Sequence, residues 1–150
     1  MPGTQLIPHL AVNDASAAID FYTKAFGAKE IARHAVPNDK KIMHASMQIG
    51  DNVLFLNDDF PEMCGGKSST PQAFGGSPVT LNLQVDDAQA MWDKAVASGA
   101  TVEMPLALQF WGDKYGRLTD PFGHQWSICE SVKKLNETEL KEAAEAVFQA

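Results

Sequence analysis

The chain has 150 residues, 45% of them hydrophobic and 21% charged, a balance that fits one globular domain with a real core and excludes a disordered segment. A formal net charge of −7 leaves no basic stripe for a nucleic-acid backbone, and no apolar run is long enough to cross a bilayer. No secretory leader is visible, and Cys64 and Cys129 form neither a metal spacing nor a redox pair, so a cytoplasmic protein is expected.

In chain order, Leu6 to Val12 reads as a strand running into a helix capped at Asn13-Asp14. That helix carries Ile19, Tyr22 and Phe26 on one face and stops at Gly27. Strands are expected at Lys29 to Val36, Ile42 to Ile49 and Val53 to Asn57, separated by Pro37-Asn38-Asp39 and Gly50-Asp51-Asn52. Asp58 to Pro78 breaks the pattern, with Gly65-Gly66, Gly75-Gly76 and little periodicity. It reads as a flexible linker or a flap over a ligand or a partner subunit. The plan then repeats. Val79 to Val85 is a strand and Asp87 to Ser98 a helix. Strands follow at Val102 to Trp111, Tyr115 to Thr119 and Gln125 to Glu130, with Gly112-Asp113-Lys114 as a turn. A last helix starts at Asn136 with Glu139 three residues on, in the manner of a capping box. Its apolar stripe is Leu140, Ala143, Ala144 and Val147, which suits packing or dimer contact.

The repetition is the strongest signal. Val12-Asn13-Asp14 returns as Val85-Asp86-Asp87, and the turn glycine Gly50 returns as Gly123, both 73 residues later. Two copies are too few for a solenoid and suit a pair of modules instead. An α+β fold is expected, with module one over about 6–57, the loop over 58–78, module two over about 79–131 and a C-terminal helix over about 136–149.

Phe21-Tyr22 followed by Phe26-Gly27, the matching Ser98-Gly99-Ala100, and Asp120-Pro121-Phe122-Gly123-His124 resemble the vicinal oxygen chelate superfamily, which includes glyoxalase I, bleomycin-resistance proteins and extradiol dioxygenases. Gln109-Phe110-Trp111-Gly112-Asp113 with Tyr115-Gly116 is similar to its PhnB-like branch. The resemblance covers roughly residues 6 to 131. It implies paired βαβββ modules whose sheets curl into a cup, in a homodimer.

The resemblance also implies where a divalent ion would sit in a catalytic member. The corresponding positions are Ile7 and Thr80 on the first strands and Leu54 and Ser127 on the last, and none is a His or a carboxylate. A one-residue slip offers Phe55 and Ile128, or Pro8 and Leu81, which is no better. Neither a metal nor another cofactor is therefore expected. A relocated ion would need His9 and His44 plus a third donor from Asp58, Asp59 or Glu62.

Strand alternation then assigns the inner face. It collects His9, His44, Ser46, Gln48, Thr80, Asn82, Gln84, Gln125, Ser127 and Cys129, while Leu10, Leu83, Trp126 and Ile128 turn toward the helices. A polar sheet face can simply be solvated. It can also line a small-molecule site, and Trp111 with Gln109 supplies a flat wall and an amide. The ligand set expected is His9, Ser46, Asn82, Gln84, Gln109, Trp111 and Ser127, with His44 the one candidate for acid–base catalysis. The expected function is binding of a small, aromatic or amphiphilic molecule in the cup of a homodimer. The alternative is an enzyme of lyase, isomerase or dioxygenase type that uses a relocated metal or His44.

Overall fold

The structure is a computed structural model that describes residues 3–149. Module one is β1 (His9–Val12), α1 (Ala15–Phe26), β2 (Lys29–Ala35), β3 (Ile42–Ile49) and β4 (Asn52–Asp58). A linker follows, with a 3-10 turn at Pro61–Met63 and the one-turn helix α2 (Pro71–Phe74). Module two is β5 (Thr80–Gln84), α3 (Ala88–Ala97), β6 (Thr101–Leu108), β7 (Asp113–Thr119) and β8 (Gln125–Ser131), and α4 (Glu137–Phe148) ends the chain. Each module makes one four-stranded sheet, ordered β1-β4-β3-β2 and β5-β8-β7-β6. The first and last strands of a module pair in parallel, and the other pairs are antiparallel.

The helices start where the sequence predicts. Asp14 accepts from the Ala17 amide, and Asp87 accepts from the Ala90 amide. A second carboxylate caps each helix from the end of the last strand. Asp58 Oδ1 takes the Ala15 amide, and Glu130 Oε1 takes the Ala88 amide. Gly27, at φ 66°, ends α1 in the left-handed region. The capping box at α4 forms in both directions between Asn136 and Glu139.

Most strand ends lie within a residue of the sequence reading, and the larger differences have physical causes. The opening strand begins at His9, because Pro8 lacks an amide to continue the ladder. β6 ends at Leu108, not Trp111. The chain turns over Gln109 to Gly112 instead, with Gly112 N donating to Gln109 O, and β7 starts at Asp113. Pro105 sits in β6, which is an edge strand, and the pairing with β7 slips between Met104 and Ala107. The linker is tied down at both ends. Asp59 accepts from Ser68 Oγ and the Ser69 amide, Gln72 Nε2 donates to Phe122 O, and Thr70 is buried.

One core serves both modules. It takes Leu10, Val12, Met47, Leu54 and Leu56 from sheet one and Leu118, Trp126 and Ile128 from sheet two, with the apolar faces of α1 and α3 among them. Helices α1 and α3 pack on each other, and both carry alanines without accessible surface. Tyr22 and Phe26 of α1 lie against Trp126 of β8, with centroids 5.4 and 4.6 Å apart. The helix-covered sides of both sheets therefore share one interior, and their polar sides are turned outward, away from each other.

Two substitutions test this packing. A Cβ on Gly116 would come within 2.5 Å of Trp92 and 2.9 Å of the Leu106 backbone. Gly116→Ala should cost about 1–3 kcal/mol in denaturant unfolding. Asp120 is buried and accepts from Tyr22 Oη, Trp126 Nε1 and the amides of Phe122 and His124. Asp120→Asn should cost about 2–4 kcal/mol, because the indole then faces an amide that cannot accept on both sides.

Candidate functional site

The outward face of sheet one is built by alternation on its four strands. His9 pairs with Phe55, Phe55 with Ser46, Ser46 with Ala32, and His44 with His34. The imidazoles of His9 and His44 meet edge-on at 5.8 Å, and His34 stacks on His44 at 6.4 Å. Phe55 lies beneath them, 4.7 Å from the His44 ring. His9 Nε2 is 2.5 Å from Asn57 Oδ1. Burial and then the neighbouring rings of His9 and His34 push the His44 pKa below its ordinary value of 6.5. A neutral imidazole with an available lone pair is the result near neutrality.

The outward face of sheet two has three cross-strand rows. Thr80, Gln125 and Thr119 form the first, Asn82, Ser127 and Arg117 the second, and Gln84, Cys129 and Tyr115 the third. Ser127 Oγ donates to Asn82 Oδ1 at 2.7 Å. Arg117 reaches over the sheet to donate from Nη2 to Thr80 Oγ1 and Gln125 Oε1. Beyond the third row, Trp111 leans edge-on toward Tyr115 at 5.7 Å and donates its Nε1 to Asp113 Oδ2. The Cys129 thiol donates to the same carboxylate oxygen at 3.4 Å. Burial first, then Asp113, raise the Cys129 pKa, which leaves the thiol protonated and a poor nucleophile.

The sequence-derived set thus falls into two fields. His9, His44 and Ser46 stand together on sheet one, whereas Asn82, Gln84 and Ser127 stand together on sheet two with Trp111 at the end. Gln109 belongs to the turn before β7, where its amide donates to Ala107 O at 3.2 Å. Within the chain these fields lie on different sheets and do not line one cleft. A cleft of about 420 Å³ opens instead at the module junction, between residues 5–8, the β3–β4 turn and β5, and Asn82 borders it. A second concavity, of about 500 Å³, lies between the Gln109–Gly112 turn and α4.

Some residues were missed. Arg117 and Tyr115 share the alternation of Asp113, Tyr115, Arg117 and Thr119 against Gly116 and Leu118, a signal present in the sequence but not used. His34 and Asn57 join sheet one's polar field in the same way.

One assignment is corrected. Leu54 does not share the face of His9. It is buried in the core and pairs with Met47, and Phe55 is the outward residue opposite His9. The structural equivalent of Phe55 is Ser127, because Asn82 pairs with Ser127 as His9 pairs with Phe55. The first strands are 73 residues apart and the last strands 72, so module two is one residue shorter near its final turn. With this register the positions implied for a divalent ion are Ile7, Phe55, Thr80 and Ser127. Two hydroxyls and two hydrocarbons do not fit a first-row ion, and the Ser127 hydroxyl already serves Asn82. The relocated set is corrected too. Asp58 lies on the helix side with both oxygens used, by the Ala15 and Ile42 amides, and Asp59 holds Ser68 and Ser69. Among the described residues no group of three His, Cys, Asp or Glu side chains converges as metal ligands would.

A family model described as the Glyoxalase/Bleomycin resistance protein/Dioxygenase superfamily matches residues 6–128. The chain belongs to this superfamily. It is 50% identical over 138 residues to an uncharacterised protein of Mycobacterium tuberculosis (Rv0887c), a match that covers 92% of this chain and 81% of that one. It is 33% identical over 122 residues to the Arabidopsis thaliana protein At5g48480, with 75% of this chain and 69% of that one covered. The crystal structure of protein PA1353 from Pseudomonas aeruginosa has the same fold, at a TM-score of 0.69 and 24% identity over 87% of this chain and all of that one. No helix among the described residues is long and apolar enough to cross a membrane.

The His44 environment carries a titration prediction. The ring should titrate below about 6.5 by NMR. The folded state then holds this proton less readily than the unfolded chain. Stability tied to the neutral ring is present above the unfolded-state pKa and is lost as pH falls through it toward the folded value. His44→Gln should flatten that acid-side loss in thermal unfolding scans, whereas titration at or above 6.5 would show that burial and the neighbouring rings do not act on it.

Proposed function

We propose that the protein is a cytoplasmic small-molecule binder of the PhnB-like branch, with its ligand on the polar face of sheet two and a second copy completing the cup. The observation that carries this reading is the field formed by Asn82, Ser127, Arg117 and Tyr115, walled at one end by Trp111. Hydrogen-bonding side chains converge there beside a flat apolar surface, which is the composition of a small-molecule site. No core contact requires that composition on an outward face.

Pairing follows from the direction of the faces. The shared core turns both polar faces outward, so one chain cannot enclose a ligand between them. Two copies related by a two-fold axis can set sheet one of each against sheet two of the other. His9, His44 and Ser46 would then face Asn82, Gln84 and Ser127 across the cup, with Gln109 and Trp111 at the rim. Pairing would also cover edge strands that a monomer leaves open.

Acid–base chemistry at His44 is the second reading, and its depressed pKa favours it. It ranks second because no carboxylate among the described residues hydrogen-bonds the His44 ring to orient it.

Light scattering at micromolar concentration should give twice the chain mass, and a monomer would remove the shared cup. A thermal-shift screen of aromatic metabolites should find stabilising ligands. Trp111→Ala should weaken such a ligand by about 1–3 kcal/mol in calorimetry while altering unfolding less. Unchanged affinity would take Trp111 out of the site.

A further inference from the structure

Arg117 stands in the middle of the polar face of sheet two, on β7, next to Ser127 of β8. Its Nη2 donates to Thr80 Oγ1 at 3.2 Å and to Gln125 Oε1, both uncharged acceptors. Its Nε is buried and has no hydrogen-bond partner. Among the described residues no carboxylate forms an ion pair with it; the one ion pair joins Arg33 and Glu30. A guanidinium drawn partly out of water, with no counter-charge and with only Nη2 hydrogen-bonded, is costly to hold unless something else completes it.

The surroundings say what that would be. Asn82 Oδ1 is taken by the Ser127 hydroxyl, so the Asn82 amide nitrogen is left to donate. Both acids at the margins of this face are engaged. Glu103 accepts from Thr119 Oγ1 at 2.9 Å, and Asp113 accepts from Trp111 and Cys129. The centre of the face therefore presents donors and one positive charge, in a chain whose net charge is −7. The planar guanidinium offers parallel N–H groups that match the paired oxygens of a carboxylate or a phosphate.

We infer that the ligand of this face carries an oxyanion, a carboxylate or a phosphate, held by Arg117 with the Asn82 amide as second donor. The inference rests on the reading of this face as the ligand site. Gln125 and Thr80 position the guanidinium, and Trp111 and Tyr115 take the apolar body of the ligand.

Calorimetric titration of the purified protein with benzoate, phenyl phosphate and benzyl alcohol tests it, with the binding face checked by NMR shifts at Asn82, Ser127 and Trp111. At least one of the two anions should bind about tenfold or more tightly than the alcohol. Arg117→Gln should abolish that preference, and Arg117→Lys should restore only part of it, because charge returns without the fork. If Arg117→Gln does not fold, Asn82→Asp serves instead. Residue 82 is exposed, and a carboxylate there still accepts from Ser127 while repelling an anion. Asn82→Asp should remove anion binding and spare benzyl alcohol. Equal affinity for charged and neutral probes, or anion binding unmoved by these variants, overturns the inference and leaves the ligand face standing. Absence of shifts at this face with all three probes overturns both.

Discussion

Asp120 joins the two halves of this molecule. Its Oδ1 accepts the amides of Phe122 and His124 in its own turn, and its Oδ2 accepts Tyr22 Oη at 2.6 Å and Trp126 Nε1 at 2.9 Å. Four donors satisfy a buried carboxylate, which is the condition for such a charge to be tolerated. Burial, and then the Asp120 charge, raise the Tyr22 pKa well above its usual value, so the phenol stays a donor. The effect is to pin the helix of module one against the last hairpin of module two. His124 Nε2, bonded at 2.8 Å to Ala11 O, adds a second tie between that hairpin and β1.

The direction of the polar faces depends on this arrangement. Tyr22, Phe26 and Trp126 stack in the interior shared by the modules, so each sheet must present its helix-covered side inward. Polar side chains are then left on the outer faces, where they bond to one another, as Ser127 does to Asn82 and His9 to Asn57, or stay open to solvent. Arg117 is the exception, since one of its nitrogens is out of reach of water and of any protein acceptor. Each chain thus carries two polar faces, one on each sheet, that point away from the shared core.

The two outward faces have also diverged chemically. Each module caps its helix twice, with Asp14 and Asp58 in one and Asp87 and Glu130 in the other. That agreement shows how closely the duplicated plan is kept. At the equivalent position of the last strand, however, module one has Phe55 and module two has Ser127. Sheet one therefore has an aromatic ring under the His9 and His44 imidazoles, and sheet two has hydroxyl, amide and guanidinium groups.

Local sequence patterns carry the duplication, the helix starts, the αL stop at Gly27 and the polar parity of His9, His44, Asn82 and Ser127. All of these rest on local rules: capping reach, the permissive backbone of glycine, and the two-residue period of a strand. The tertiary structure alone decided three things. The one-residue shortening of module two, which exchanges Leu54 for Phe55 on the outer face, is visible only in strand pairing, since parity says nothing about which residues sit opposite. The end of β6 before Trp111 depends on a turn closed by Gly112 and on the slip at Pro105. The outward aspect of both polar faces depends on Tyr22 meeting Asp120, 98 residues away, a contact that no local pattern encodes.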